Sequence, residues 1–143
     1  MTGPGGDITY VALGSNLGDR AAHLNAACEQ LAALPATVLE AASTIEETAP
    51  LGGLDQPPYL NQMVRLRTGL TPRALLEACQ RIEQSRGRRR ATGARWASRT
   101  LDLDIVLFGD RLVEEPGLTI PHPRLPERDF WQRELVELGR DDR

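Results

Sequence analysis

Polar and apolar residues follow two periods along this chain, and the periods sort it into strands and helices. Residues 7–13 (Asp-Ile-Thr-Tyr-Val-Ala-Leu) predict a strand apolar enough to be central. Leu24, Ala27, Cys28, Leu31 and Leu34 then recur at helical spacing. Asp19 is placed to cap that helix, and Pro35 ends it. Residues 37–47 predict a second strand, rich in Ala and Ser. The turn-rich stretch 48–58 predicts a long loop, of a length that is often functional. Residues 60–68 alternate: Leu60, Gln62, Val64 and Leu66 face one way, Asn61, Met63, Arg65 and Arg67 the other. Thr71 and Pro72 form a cap and first position for a second helix, with Leu75, Leu76, Cys79 and Ile82 as its buried stripe and Gly87 at its end. An arginine-rich polar loop, 88–98, leads into a fourth strand ending at Phe108. Gly109-Asp110 is expected to turn a short hairpin into 111–113. A brief extended piece at 118–120 precedes Pro121-His122-Pro123. A last helix over 129–139 has Phe130, Leu135 and Leu138 inward.

The order is β-α-β-β-α-β with an appended hairpin and helix. It predicts an α+β, ferredoxin-like sandwich with two helices on one face of an antiparallel sheet and the third on part of the other. At 143 residues and 41% hydrophobic, the chain is expected to be a single domain over 1–143, with 1–6 as a loose tail. No apolar run is long enough to span a membrane, and no signal-peptide pattern opens the chain. The expectation is a cytoplasmic protein with no membrane partner, and a monomer because the fold closes its own core.

The fourth strand carries the chemistry. Asp102 and Asp104 fall on one face with Val106 and Phe108, while Leu101, Leu103, Ile105 and Leu107 take the other. Two like charges on an apolar strand repel and are costly to bury. A divalent cation removes both problems, and few hard oxygen ligands suit Mg²⁺. Arg86, Arg88, Arg89, Arg90, Arg95 and Arg99 precede the pair, with Trp96 among them, which is the acid-and-base company of a magnesium–polyphosphate site. All 17 basic residues are arginine, so neither a Schiff-base nor a P-loop lysine is available, and guanidinium forks must hold any phosphate. A net charge of −3 makes the basic cluster local and disfavours nucleic acid. Cys28 and Cys79 fall on helix stripes and are expected to be buried thiols.

Several separated stretches resemble one family, the 6-hydroxymethyl-7,8-dihydropterin pyrophosphokinases. They are the Ala-Leu-Gly-Ser-Asn-Leu-Gly run at 12–18, Thr-Ala-Pro-Leu-Gly at 48–52, Tyr-Leu-Asn at 59–61, Arg-Ile-Glu at 81–83, Gly-Arg at 87–88, Arg-Trp at 95–96, Arg-Thr-Leu-Asp-Leu-Asp-Ile at 99–105, Leu-Thr-Ile-Pro-His at 118–122 and Arg-Asp-Phe at 128–130. The run at 99–105 with the Pro-His turn downstream is specific; each other match is weak alone. Ala97-Ser98 stands where the family often has Gly-Pro, and Ala49 replaces a frequent proline.

The resemblance implies transfer of pyrophosphate from ATP to the substrate hydroxymethyl, with attack at the β-phosphorus and AMP leaving. It implies two Mg²⁺ ions held by Asp102 and Asp104. Arg88 and Arg99 match catalytic arginines on the phosphates. Gln80, Glu83, Arg90, Arg95, Trp96, Ile105, Thr119, His122 and Arg128 match ATP-side positions, though Ile105 also reads as core. Tyr59 and Phe130 match an aromatic pair around the pterin, with Asn61 and backbone near Thr48 and Leu51 on the pterin edge. The 88–98 loop is expected to close over the phosphates. Gly14-Ser15-Asn16 reads either as a phosphate cradle or as a small-residue buttress for the pterin pocket. Two other functions compete, an RNA-binding module and a non-catalytic small-molecule domain. The first would need exposed aromatics on the middle strands.

Overall fold

Strand β1 (Asp7–Ser15) runs through the middle of the sheet and is buried from Thr9 onward. It is followed by α1 (Arg20–Ala32), β2 (Thr37–Ala42), β3 (Glu46–Thr48), β4 (Tyr59–Thr68), α2 (Pro72–Ser85), β5 (Asp102–Phe108), β6 (Val113–Glu115), β7 (Leu118–Ile120), a 3-10 turn (Leu125–Glu127) and α3 (Asp129–Glu137). This computed structural model describes residues 6–49, 58–87 and 100–140. The architecture is α+β, with antiparallel pairing and, among the described residues, three α-helices. The main sheet has the order β2-β4-β1-β5, and β3 pairs with β4 beyond the end of β2. Among the described residues, no helix is long and apolar enough to cross a membrane.

Both long helices start where side-chain chemistry directs. Asp19 Oδ1 accepts from Ala22 N–H (3.1 Å) at the head of α1, and Thr71 Oγ1 accepts from Ala74 N–H (3.1 Å) at the head of α2. These helices bury Leu24, Leu31, Leu75 and Ile82 against Val11, Leu13, Val64 and Leu66 on one sheet face. On the opposite face, α3 lays Trp131, Leu135 and Leu138 over Tyr10, Ala12 and Met63. Where β1 ends and β5 begins on that face, the head of α3 borders a cleft.

Five local expectations are corrected. The strand expected over 37–47 divides into β2 and β3. At the break, Ser43 N–H donates to Met63 O (2.8 Å) and Ser43 Oγ accepts from Met63 N–H (2.9 Å), so a hydroxyl replaces a rung of the ladder. Alternation in β5 fails at its far end. The register against β1 shifts between Tyr10 and Val11, which face Leu107 and Ile105, so Val106 is an extra residue. Phe108 therefore joins Leu101, Leu103 and Ile105 in the helix-side core, and Leu107 joins Val106 under α3. The hairpin is β6–β7, turned at Pro116-Gly117, rather than a return of β5 through Gly109-Asp110. Finally, Trp131 is the residue α3 drives into the core, while Phe130 is only half-buried, and Cys28 is half-buried where Cys79 is fully so.

Candidate active site

Gly14 sits between Asn61 of β4 and Asp102 of β5, paired to both in register. With no side chain there, the sheet has a dip at this point. A Cβ on Gly14 would lie 3.4 Å from Asn61 Oδ1 and 3.5 Å from Tyr59 Cδ1. Around this floor lies a cleft of about 430 Å³, part of it open to solvent, that takes in Thr48, Tyr59, Asn61, Asp102, Asp104, Arg128, Phe130 and Trp131. Four strands and the head of α3 thus converge on one place.

Each wall follows from its element. Strand alternation puts Asp102 and Asp104 on the α3 side, half-buried and two residues apart. Asn61 is buried, and its Nδ2 donates to Thr48 Oγ1 (2.7 Å), which fixes the amide and leaves Oδ1 toward Gly14. Tyr59 begins β4 and Phe130 lies in the first turn of α3, and both aromatic residues line the cleft. The Arg128 guanidinium lies over the Trp131 ring at 4.5 Å. His122 meets the same ring edge-on at 5.0 Å.

His122 is tied down at several points. Its backbone N–H donates to the carbonyl of Val106, the extra residue of β5 (3.0 Å), and its Nδ1 accepts from Arg124 N–H (3.0 Å). The proton of the neutral ring is then on Nε2, which faces Asp104 Oδ1 at 3.5 Å. In β5, which pairs with β1 alone among the described strands, Leu103 N–H donates to Glu83 Oε2 (2.7 Å). That buried carboxylate grips the strand between the two aspartates, a function that helix spacing in the sequence did not suggest. Burial raises the Cys79 thiol well above its ordinary range, so it stays protonated and inert.

Of the expected site residues, Thr48, Tyr59, Asn61, Asp102, Asp104, Arg128 and Phe130 share the cleft. His122 reaches it through Asp104 and Trp131. Gln80 is half-buried on α2 and Thr119 is exposed on β7, away from the cleft lining. Ile105 has its side chain in the helix-side core. Arg88, Arg90, Arg95, Trp96, Arg99 and Leu51 lie outside the described residues. Gly14 and Ser15 belong to β1, and Ser15 and Asn16 are fully buried, which fits the buttress and not an open phosphate cradle. Sequence reasoning passed over Trp131, whose signal was its place one turn before Leu135 on the inward stripe of α3.

Among the described residues, no group of three or more His, Cys, Asp or Glu is arranged to hold a metal ion by itself. Mg²⁺ does not need one. It takes one or two carboxylates and completes its shell with phosphate oxygens and water, which is the donor set Asp102 and Asp104 offer in the cleft.

The family model of 7,8-dihydro-6-hydroxymethylpterin-pyrophosphokinase (HPPK) matches residues 10–140 of the chain. A 2-amino-4-hydroxy-6-hydroxymethyldihydropteridine pyrophosphokinase of Bacillus subtilis is 44% identical over 132 residues, covering 92% of this chain and 78% of that protein. The proteins of the same description from Pseudomonas aeruginosa and Haemophilus influenzae are 44% and 42% identical, each over 92% of this chain and 80% and 81% of their own lengths.

Proposed function

The chain belongs to the 7,8-dihydro-6-hydroxymethylpterin-pyrophosphokinase family, and we propose that the cleft around Gly14 is where it performs that family's reaction. The reaction is pyrophosphoryl transfer to 6-hydroxymethyl-7,8-dihydropterin in folate biosynthesis, by an ATP-dependent diphosphotransferase. Both substrates are small molecules. The observation that carries the placement is the convergence of a carboxylate pair, a fixed amide and two aromatic rings on one floor.

The pterin ring lies over Gly14 between Tyr59 and Phe130. Flat heteroaromatic rings gain most from such faces. Asn61, held by Thr48, meets the polar edge of the ring with its remaining donor and acceptor. The triphosphate extends from there past Asp102 and Asp104 toward His122 and Arg128. The hydroxymethyl oxygen attacks the β-phosphorus and its proton is released to solvent, the bond from the β-phosphorus to the bridging α-phosphate oxygen breaks, and AMP leaves with that electron pair. Asp102 and Asp104 are the residues that would hold Mg²⁺, two ions with ATP, which supply neutralisation of phosphate charge when bound. Arg88 and Arg99, with Arg90, Arg95 and Trp96, are assigned to the phosphates by resemblance to the family. Gln80, Glu83, Ile105 and Thr119 keep the ATP-side assignment of that resemblance. For Ile105 the contact would run through the backbone, since its side chain is in the core.

The order β2-β4-β1-β5 with α1 and α2 on one face supports a ferredoxin-like sandwich. A monomeric, cytoplasmic protein is part of the same reading. An RNA-binding role is disfavoured, because Tyr10, the aromatic such a sheet would present, is only 5% exposed beneath α3.

Phosphorus NMR of the protein with ATP, Mg²⁺ and 6-hydroxymethyl-7,8-dihydropterin tests the proposal. AMP and a pterin diphosphate should accumulate together, and Asp102→Asn or Asp104→Asn should abolish most of both while circular dichroism stays native. Unchanged turnover in both variants would reject the carboxylate assignment.

A further inference from the structure

Glu134 lies on α3 and is fully buried, and neither of its carboxylate oxygens has a hydrogen-bond partner among the described residues. A carboxylate without donors is among the most costly groups to bury, and the neutral acid is far less so. The groups around it do little to offset its charge. Glu46 on β3 and Glu137 on α3 add like charge. Arg133 on α3 has the opposite sign, but it turns outward to Glu46 (2.8 Å) and Asp129 (3.8 Å). On β4, Arg65 is committed to Glu40 (3.2 Å) and to the Leu138 carbonyl. In the 3-10 turn, Arg124 pairs with Glu127 (3.1 Å). Toward the cleft, Arg128 and His122 lie against Trp131, Asp104 faces His122, Asp102 lines the floor, and Tyr10 packs beneath the helix. Burial first, then Glu46, pushes the Glu134 carboxyl up to about 8.

The position of Glu134 on α3 connects it to the site. It follows Trp131 by three residues, so both point from the same stripe of the helix into the sheet. The tail of α3 is fastened independently, by Glu137 accepting from Thr44 N–H (2.8 Å) and Oγ1 (3.0 Å) and by Arg65 at Leu138. Toward the head, the one comparable polar tie to the sheet among the described residues is the exposed Arg133 side chain on Glu46 of β3 (2.8 Å), and Phe130 and Trp131 in the first turn make no side-chain hydrogen bond to a strand. A charge forming at Glu134 is therefore relieved by movement of that first turn.

We propose that Glu134 is a positioning residue for the pterin wall: with its proton it seats the first turn of α3 on the sheet, and without it that turn lifts and pterin affinity falls. The inference rests on the reading of Phe130 as a pterin wall. Its sign follows from linkage. The seated helix holds a proton that the unseated one releases, so seating is strongest below the ordinary carboxyl range near 4.5, weakens as pH rises, and has lost this contribution above about 8.

Two measurements on the full chain test it. Carboxyl-carbon NMR without ligand should find Glu134 titrating near 8; a midpoint near 4.5 would overturn the proposal. Pterin affinity, measured with a non-hydrolysable ATP analogue and Mg²⁺ at about pH 6 and about pH 9, should fall about tenfold more in wild type than in Glu134→Gln, which mimics the protonated acid. Both proteins share the titration of the ligands, so parallel profiles would overturn the positioning role. If Glu134→Gln does not fold, Glu134→Leu serves as the neutral reference. Absence of pterin binding by both proteins at about pH 6, with Glu134 still titrating near 8, would instead defeat the site reading, and the positioning role with it.

Discussion

Gly14 is needed for the space it leaves, not for backbone freedom. It lies in β1 and is not among the residues with positive φ, so another residue fits the strand without strain. Gly14→Ala should therefore fold normally, because its new Cβ meets Asn61 and Tyr59 at ordinary contact distances of 3.4 and 3.5 Å. The methyl would raise the cleft floor, and pterin affinity should fall while ATP affinity holds. Unaltered pterin binding would mean that the ring lies elsewhere. Tyr59→Ala and Phe130→Ala test the walls in the same way. Each should weaken pterin by about 1–3 kcal/mol, the range of an aromatic stacking face, with much less effect on ATP. Calorimetric titration of the two ligands separates the outcomes, and equal losses for both would assign the rings to packing alone. At this scale the sequence revealed the aspartates, the aromatics and Asn61 through residue type and motif. It did not reveal Glu83 gripping Leu103 N–H, since that contact joins positions twenty residues apart across two elements.

Elements fail to follow simple periodicity where one residue breaks a ladder. Ser43 supplies its hydroxyl to Met63 and divides the second strand, and nothing in the Ala- and Ser-rich pattern of 37–47 marks that position. Val106 is the extra residue of β5, and its insertion exchanges the faces of Leu107 and Phe108. The aspartates lie before the bulge and keep their alternation. Their placement depends on register, since a one-residue slip would turn both into the helix-side core. Glu83 opposes such a slip by its hold on Leu103. Glu83→Ala leaves the Leu103 N–H without that acceptor and should cost about 1–3 kcal/mol. The urea midpoint should drop with little change in slope. A midpoint within error of wild type would show that the strand is held without it.

For the molecule as a whole, the site follows from how the helices sit on the sheet. Among the described residues, α1 and α2 pack on one sheet face, while α3, nine residues long, packs on the other with its head at the cleft. The order of elements and the helix limits were legible from the chain, because Asp19, Thr71, Pro72 and Gly87 are local signals with local effects. How far α3 reaches was not, because it depends on the depth of Trp131 and on ties to Arg65 of β4 and to Thr44 between β2 and β3, both distant in sequence. The central claim is one of place: pterin and phosphates occupy the cleft around Gly14. Amide chemical shifts of the isotope-labelled protein test it directly, on adding 6-hydroxymethyl-7,8-dihydropterin, a non-hydrolysable ATP analogue and Mg²⁺. The largest shifts should fall on Gly14, Thr48, Asn61, Asp102, Asp104 and Phe130, with β2 and the outer face of α1 unmoved. Shifts centred on β2 or α1, with those six amides unmoved, would contradict the account.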